Sequence, residues 1–295
     1  MKLRIGSRDS RLAIAQSRLV MDALRAALPD IELELVTMKT TGDRILDRTL
    51  DQVGGKGLFV KELDAALRDG RVDLTVHSCK DLPMEIPEDL PIAAFTRRED
   101  PRDALVLPLG ATKLDVTRPI GSASPRRRLQ LADLFPRAEA RPVRGNILTR
   151  LEKLDRGEYG ALVLAAAGLK RLGLEGRISR IFSPEEMLPA AGQGILAVQC
   201  RRGTDTALLD CLRDPDAEVC AVCERAFVGA LNGGCSSPAA AYAVVDGENV
   251  HIAGMYADKA GIVKKGSVSG RKTDGPALAA GLAKALKEDG PWPEK

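Results

Sequence analysis

The sequence predicts an α/β protein of several domains: two α/β domains followed by a smaller α+β domain. Three observations carry this expectation. The 295 residues exceed one ordinary core and suit two or three domains of usual size. Over the first two-thirds, strand patterns take turns with helical ones, the order that a mostly parallel sheet with helices on its faces requires. Over the last 75 or so residues the pattern changes to hairpin-like strands and a closing helix.

The elements follow in order. "KLRIGS" is a short strand, and Ser10 caps an amphipathic helix that runs to about Leu28. "IELELVTM" alternates as a half-buried strand, "GLFVKELDAALRDG" is a helix closed by Gly70, and "VDLTVHS" is a strand again. Between them "TTGDRILDRTLDQVGGKG" fits neither period and is expected to be a mobile surface loop. After the strand "IAAF" the stretch "TRREDPRD" makes a crossover, and the alternation restarts. Its elements are "ALVLP", "PIGSAS", the helix "PRRRLQLADLF", the strand "ARPVRG", the helix "ILTRLEKLDRG" and the strand "YGALVLAAAG". "GILAVQC" is another buried strand, followed by two helices. "AAAYAVVDGENVHIAGMYA" and "IVKKGSVSG" then supply hairpin strands, and "DGPALAAGLAKALKEDG" closes the chain as a helix. No low-complexity segment or convincing repeat is evident.

Composition narrows the function classes. Hydrophobic residues make up 44% and charged ones 29%, with no apolar run of about 18 residues such as a membrane span needs. The start "MKLRIGSRDS" lacks an apolar signal core, so the expected location is the cytoplasm. Six cysteines are then expected as thiols rather than a disulfide scaffold. Cys220 and Cys223 form a CxxC, but inside a helical pattern, where two buried thiols are the expectation. Zinc would need about four ligands, and the chain offers only His77 and His251 beyond its cysteines, so no metal is expected. The net charge is +3, yet Gly121–Arg150 alone carries seven arginines against Asp133 and Glu139, a local charge of +5. A basic field on a near-neutral protein points to a specific anionic ligand. Aromatic residues, at 3%, are too few for a stacking surface for nucleic acid.

Four stretches carry chemistry. "VHSCKDLP" ends a strand, placing Ser78, Lys80 and Asp81 where open parallel sheets bind ligands. A carboxylate beside a lysine there moves protons or stabilises a cation, while an ordinary turn before Pro83 is the bland alternative. His77 reads as a hydrogen-bonded strand residue. "GSASPRRRLQ" has the form strand, small-residue loop, helix start, which suits an anion through the Ser122 and Ser124 hydroxyls and arginine forks; a solvated basic face is the alternative. "VRGNILTR" repeats that form around Arg144 and Arg150. "VGGKGLFVKE" is not a phosphate loop, because Gly57 follows Lys56, and it reads as a lid or a plain glycine turn. In "NGGCSSP" the glycines and serines give Cys235 little apolar cover. A buried thiol remains one reading, and an accessible thiol without a nearby histidine suits tethering better than turnover.

Together "VGGKGLFVKEL", "VHSCKDLP", "REDPRDAL", "RGNILTRLEKL", "LAAAGLKRLG", "LPAAGQG" and "NGGCSSP" resemble the porphobilinogen deaminase family, in order and over most of the chain. The resemblance implies two periplasmic-binding-protein-like α/β domains plus a smaller C-terminal α+β domain. The implied boundaries are 1–97 with 195–214, 98–194 and 215–295. It implies a monomeric cytoplasmic transferase of tetrapyrrole and haem biosynthesis, acting on the small molecule porphobilinogen without nucleic acid or membrane. Such enzymes join four porphobilinogen molecules, with loss of ammonia, into the linear tetrapyrrole hydroxymethylbilane. A dipyrromethane cofactor is implied on Cys235 as a covalent thioether. Asp81 matches the catalytic aspartate, thought to stabilise the azafulvene cation, and Lys80, matching a lysine of the family's strand-end motif, is implied as catalytic beside it. Lys56, Arg8, Arg126, Arg127, Arg144, Arg150 and Arg171 match residues that bind cofactor and substrate, with Ser10, Ser78 and Ser124 as supporting donors; Phe59 and Gln193 match lid and loop positions. Two departures stand out: Gln52 replaces a common lysine, and "SASP" replaces Thr-Ser-Ser-Leu. A two-lobed solute-binding protein, which has no use for Asp81 or a tethered Cys235, and an arginine-rich nucleic-acid binder, whose affinity would depend steeply on salt, are the rival classes.

Overall fold

The computed structural model describes residues 2–44, 59–233, 238–258 and 260–288. Among them the strands are β1 (Lys2–Arg8), β2 (Glu32–Met38), β3 (Leu74–Ser78), β4 (Ile92–Phe95), β5 (Asp103–Val106), β6 (Ile120–Gly121), β7 (Ala140–Arg141), β8 (Ala161–Ala165), β9 (Arg180–Ile181), β10 (Leu196–Cys200), β11 (Ala239–Asp246), β12 (Asn249–Ala257) and β13 (Val263–Arg271). The chain divides into two compact units, Met1–Glu99 with Gly194–Glu218, and Asp100–Gln193 with Val219–Lys295.

The first unit is built on a sheet of order β2-β1-β3-β10-β4. β1 runs parallel to β2 and β3, while β10 is antiparallel to both β3 and β4, so four strands share a direction and β10 alone is reversed. The helix Arg11–Ala27 starts as expected: Ser10 is extended (φ −136°, ψ 145°) and its hydroxyl accepts the Ala13 N–H at 3.3 Å. It buries Ala13, Gln16, Ser17, Val20, Met21 and Leu24, one helical face. Val20, Met21 and Leu24 pack on Ile5, Leu74, Val76, Leu196 and Val198 of the sheet. A second helix, Lys61–Arg68, packs Ala66 and Leu67 with Val72 and Leu90, and Gly70 ends it in the left-handed region at φ 67°.

In the second unit a sheet of order β7-β6-β8-β5-β9 repeats the plan of the first. β6 is parallel to β7 and β8, and β5, antiparallel to β8 and β9, is its reversed strand. Successive residues of β8 alternate between two cores, as a period of two demands. Leu162 and Leu164 pack with Ala104, Val106, Leu151 and Leu154, and Ala161 and Val163 with Leu105, Ile120, Leu131 and Phe182. The same unit holds the antiparallel sheet β11-β12-β13, the helix Gly275–Glu288 and, from Val219 on, the helix Pro215–Ala230. Gly254 of β12 has no side chain because the Phe227 ring lies directly against it.

The fold class is the expected one, with differences in its elements, among them the unexpected strand β9 and a 3-10 turn, Ala207–Leu212, in place of the first helix expected after β10. The strand expected over "YGALVLAAAG" ends at Ala165, and Ala166–Arg171 is helical. Once the large apolar side chains stop, alanines, the best helix formers, have no reason to stay extended. The strands expected in "PIGSAS" and "ARPVRG" shrink to two residues each, the second cut short by Pro142, which has no N–H to donate. Within the expected loop, Thr41–Arg44 is helical, and residues 45–57 lie outside the described residues. Cys220 and Cys223 are buried helix thiols as expected, and burial pushes the Cys223 thiol up to about 12.

Candidate active site

In the first unit the parallel pairing of β1 with β3 brings their carboxyl ends to one edge of the sheet. Arg8 ends β1, Ser78 ends β3, and a 3-10 turn over Cys79–Asp81 then presents Lys80 and Asp81, both half-buried, at that edge. The turn is pinned by the Cys79 N–H, which donates to the Ile195 carbonyl at 3.0 Å, and by the Leu82 N–H, which donates to the Cys79 carbonyl at 3.2 Å. Ser78 exchanges hydrogen bonds with Gln16: the Gln16 amide donates to Ser78 Oγ at 2.9 Å, and the hydroxyl lies 3.2 Å from Gln16 Oε1. The Arg8 guanidinium stacks over the Phe59 ring, 4.2 Å from its centroid. His77 is fully inside; its Nε2 pairs with Thr75 Oγ1 at 3.0 Å. Burial, with the Arg8 charge nearby, pushes its imidazole down to about 3, so it stays neutral. Ser10 spends its hydroxyl on the helix cap.

In the second unit the carboxyl ends of β7, β6 and β8 likewise line one edge, and each leads into a helix bearing expected site residues. After β6, Ser124 caps Pro125–Leu134, with Pro125 at its first position, and accepts the Arg127 N–H at 3.5 Å. After β7, Gly145 takes φ 109° and Asn146 caps Ile147–Asp155. This loop carries Arg144 and is held from three sides. Arg150 Nε donates to the Gly145 carbonyl at 2.8 Å, Lys153 to the Arg144 carbonyl at 3.4 Å, and the Tyr159 hydroxyl to the Pro142 carbonyl at 2.8 Å. After β8, Arg171 ends the Ala166–Arg171 helix, half-buried.

Arg126 and Arg127 are not a solvated face. Both are buried on Asp103, which is fully inside at the start of β5. Arg126 Nη1 donates to Asp103 Oδ2 and to the Leu188 carbonyl, each at 2.7 Å. Arg127 gives Nη2 and Nε to Asp103 Oδ1 at 2.7 and 3.1 Å, and Nη1 to the Val163 carbonyl at 3.1 Å. Gln193 Nε2 adds a further hydrogen bond to Asp103 Oδ1 at 2.8 Å and one to the Pro101 carbonyl at 2.6 Å. Burial alone would push the Asp103 carboxyl up, but the two guanidinium charges overcome that and hold it below the usual carboxylate range. Burial lowers the Arg126 guanidinium, with the Asp103 charge opposing and the Arg127 charge adding to the effect.

Cys235, Lys56 and Gln52 lie outside the described residues. Among the described residues no cluster of histidine, cysteine and carboxylates is arranged to hold a metal ion, and no helix is long and apolar enough to cross a membrane. Sequence reasoning passed over four residues of these edges: Gln16, Asp103, Gln130 and Glu224. Gln130 backs Arg126 by accepting the Leu188 N–H at 2.7 Å. Glu224, fully inside, accepts the Gly192 N–H at 2.6 Å and the Ala243 N–H at 2.7 Å. For Asp103 a signal was present, since it sits within "REDPRDAL"; the other three carry none.

The family description "Porphobilinogen deaminase, dipyromethane cofactor binding domain" matches residues 3–209, and "Porphobilinogen deaminase, C-terminal domain" matches 218–288. The chain is 56% identical to the porphobilinogen deaminase of Acetivibrio thermocellus, over 96% of this chain and 97% of that protein. It is 45% identical to that of Chromobacterium violaceum, over 99% and 96%. Among solved structures, the BenM effector binding domain with its effector benzoate is similar at 14% identity and a TM-score of 0.42, over 72% of this chain and 88% of that one. With both of the family's domains present in order and relatives matched nearly end to end, the chain belongs to the porphobilinogen deaminase family.

Proposed function

We propose that this chain polymerises four porphobilinogen molecules, with release of ammonia at each addition, into hydroxymethylbilane. The observation that carries this reading is the 56% identity over 96% of the chain to a porphobilinogen deaminase. The reading keeps the division into domains 1–97 with 195–214, 98–194 and 215–295, a dipyrromethane primer joined to Cys235 as a thioether, and a monomer working in the cytoplasm.

The donor set fits such a primer. Dipyrromethane and every added unit carry acetate and propionate groups, and Arg144, Arg150 and Arg171, with Ser124, stand at the carboxyl ends of β7, β6 and β8. Arginine stays protonated, so it holds carboxylates without competing as a base. When bound, the primer supplies the pyrrole carbon from which the chain grows. In the first unit Arg8, stacked on Phe59, and Ser78, fixed by Gln16, bind and orient the incoming porphobilinogen. Asp81 is a half-buried carboxylate at that edge. Its part is to balance positive charge as the substrate's amino group leaves and to take up the proton released on coupling, with Lys80 beside it. Arg126 and Arg127, held on Asp103, face the carboxylates of the pyrrole chain with one positive charge more than Asp103 balances.

The test is the mass of the purified protein, expected to exceed the sequence mass by two pyrrole units, with Cys235→Ala abolishing the increment. An unmodified but active protein would sink the assignment. Asp81→Asn is expected to keep the increment and lose turnover by about a hundredfold or more; near-normal rates would remove Asp81 from its role.

A further inference from the structure

We propose that Asp103 is a positioning residue of this site: one buried carboxylate that sets Arg126, Arg127 and Gln193 in place and leaves the group one positive charge in excess for a carboxylate of the bound pyrrole chain. On the tetrapyrrole-forming reading of the site, that carboxylate belongs to the primer or to a freshly added unit.

Topology puts Asp103 where this matters. β5 is the reversed strand of its sheet, and Asp103 is its first residue, paired with Ala165, the last residue of β8. The beginning of β5 therefore lies at the edge where β6, β7 and β8 end and where Ser124, Arg144 and Arg171 follow. A strand in the common direction would have turned this carboxylate to the opposite edge.

Charge supplies the second step. Two guanidinium groups meet one carboxylate, and Asp103 is fully inside while the side chains of Arg126 and Arg127 are 4% and 8% exposed. Among the described residues Asp103 is the carboxylate in ion-pair contact with either arginine. An ion pair used only for stability is balanced, because an uncompensated buried charge is costly. A two-to-one cluster at a ligand-binding edge is instead incomplete until an anion arrives. A carboxylate-rich ligand is the anion with matching fork geometry.

Hydrogen bonds supply the third. Gln193 reaches the same carboxylate and the Pro101 carbonyl, and its neighbour Gly192 is held by Glu224 of the Pro215–Ala230 helix, whose other oxygen holds β11 through Ala243. A contiguous set of contacts thus runs from the C-terminal sheet through Gly192 and Gln193 to Asp103 and the two arginines. A shift in Asp103 is passed to the arginines without any loss of their charge.

The experiment uses purified wild type, Asp103→Asn and Gln193→Met, with intact mass, thermal melting and porphobilinogen kinetics measured on each. In folded, primer-bearing Asp103→Asn the KM for porphobilinogen is expected to rise about tenfold while kcat changes less than about threefold, together with a smaller primer-bearing fraction by mass. A purely structural aspartate would lower the melting temperature and leave the KM of the loaded molecules alone. A rise of less than about threefold therefore overturns the proposal. Should Asp103→Asn not fold or not load, Gln193→Met decides. It keeps side-chain length and removes the donor to Asp103 and to the Pro101 carbonyl; the two lost hydrogen bonds lower the melting temperature by about 4–9 °C, and the expected result in the folded, primer-bearing molecules is a KM raised about threefold or more. An unchanged KM there overturns the proposal. A wild-type chain without the primer mass would overturn the tetrapyrrole-forming reading itself, and is told apart by that measurement alone.

Discussion

Replacing Glu224 by glutamine tests how firmly the Gly192–Gln193 corner is held. The carboxylate is fully inside, and its two oxygens accept the Gly192 N–H at 2.6 Å and the Ala243 N–H at 2.7 Å. An amide of the same shape has one oxygen and one NH2 group, so one of these N–H groups must face a donor. A hydrogen bond to a charged group contributes about 1.5–3 kcal/mol, and a buried donor left unsatisfied costs about 1–3 kcal/mol. The expected loss is about 3–5 kcal/mol, which for a chain of this size corresponds to a fall in Tm of about 6–10 °C. Thermal unfolding followed by circular dichroism reads this directly, and intact mass reports whether the primer-bearing fraction falls with it. A Tm within about 2 °C of wild type would mean that the corner rests on other contacts, and would refute the reasoning.

Asp64→Asn is expected to stabilise the protein at neutral pH. Asp64 is buried in the Lys61–Arg68 helix with Oδ1 unpartnered among the described residues, and burial, with Asp89 adding and Arg68 opposing, raises its carboxyl above the usual range. The folded state therefore holds this proton more tightly than the unfolded chain, so ionisation costs stability as pH rises above about 4. The asparagine variant should melt higher at pH 7, with the gain fading as pH falls below about 4; a gain that persists in acid would refute this origin. Phe59→Leu keeps apolar bulk under Arg8 and removes the ring face 4.2 Å from its guanidinium. A cation–π contact is worth about 0.5–2 kcal/mol, so the KM for porphobilinogen should rise about two- to thirtyfold, and an unchanged KM would take Phe59 out of Arg8's support. Gln16→Leu leaves the Ser78 hydroxyl without its helix partner, and a Tm drop of about 1–3 °C is expected, since a neutral hydrogen bond nets about 0.5–1.5 kcal/mol; a Tm equal to wild type would speak against it.

Local chemistry made much of this protein legible. Ser10 and Gly70 announced helix ends that depend only on residues three or four positions away, and both ends formed where the chain alone required them, whereas Ser124, read as an anion donor, also caps a helix. His77 and the Cys220 and Cys223 thiols also took the plain roles their surroundings suggested. The boundary at Ala165 was misjudged because a run of alanines fits a buried strand and a helix equally well until packing chooses.

By itself, then, the sequence determined the order of elements, the helix caps, the basic field and the motifs that identify the family, all of which are properties of short stretches. Tertiary structure alone decided what joins distant stretches. It chose β5 and β10 as the reversed strands of two sheets with the same plan, although the two halves show no repeat in sequence. It joined Gln16 to Ser78 across 62 positions and Gln193 to Asp103 across 90. It also set Arg126 and Arg127, which the sequence reads as anion-binding arginines with a solvated basic face as the alternative, as buried partners of Asp103. The physical reason is that a charge or an amide in sequence names only what a group is able to bind. Which carboxylate it binds depends on strand direction and register, which are settled by the packing of whole sheets.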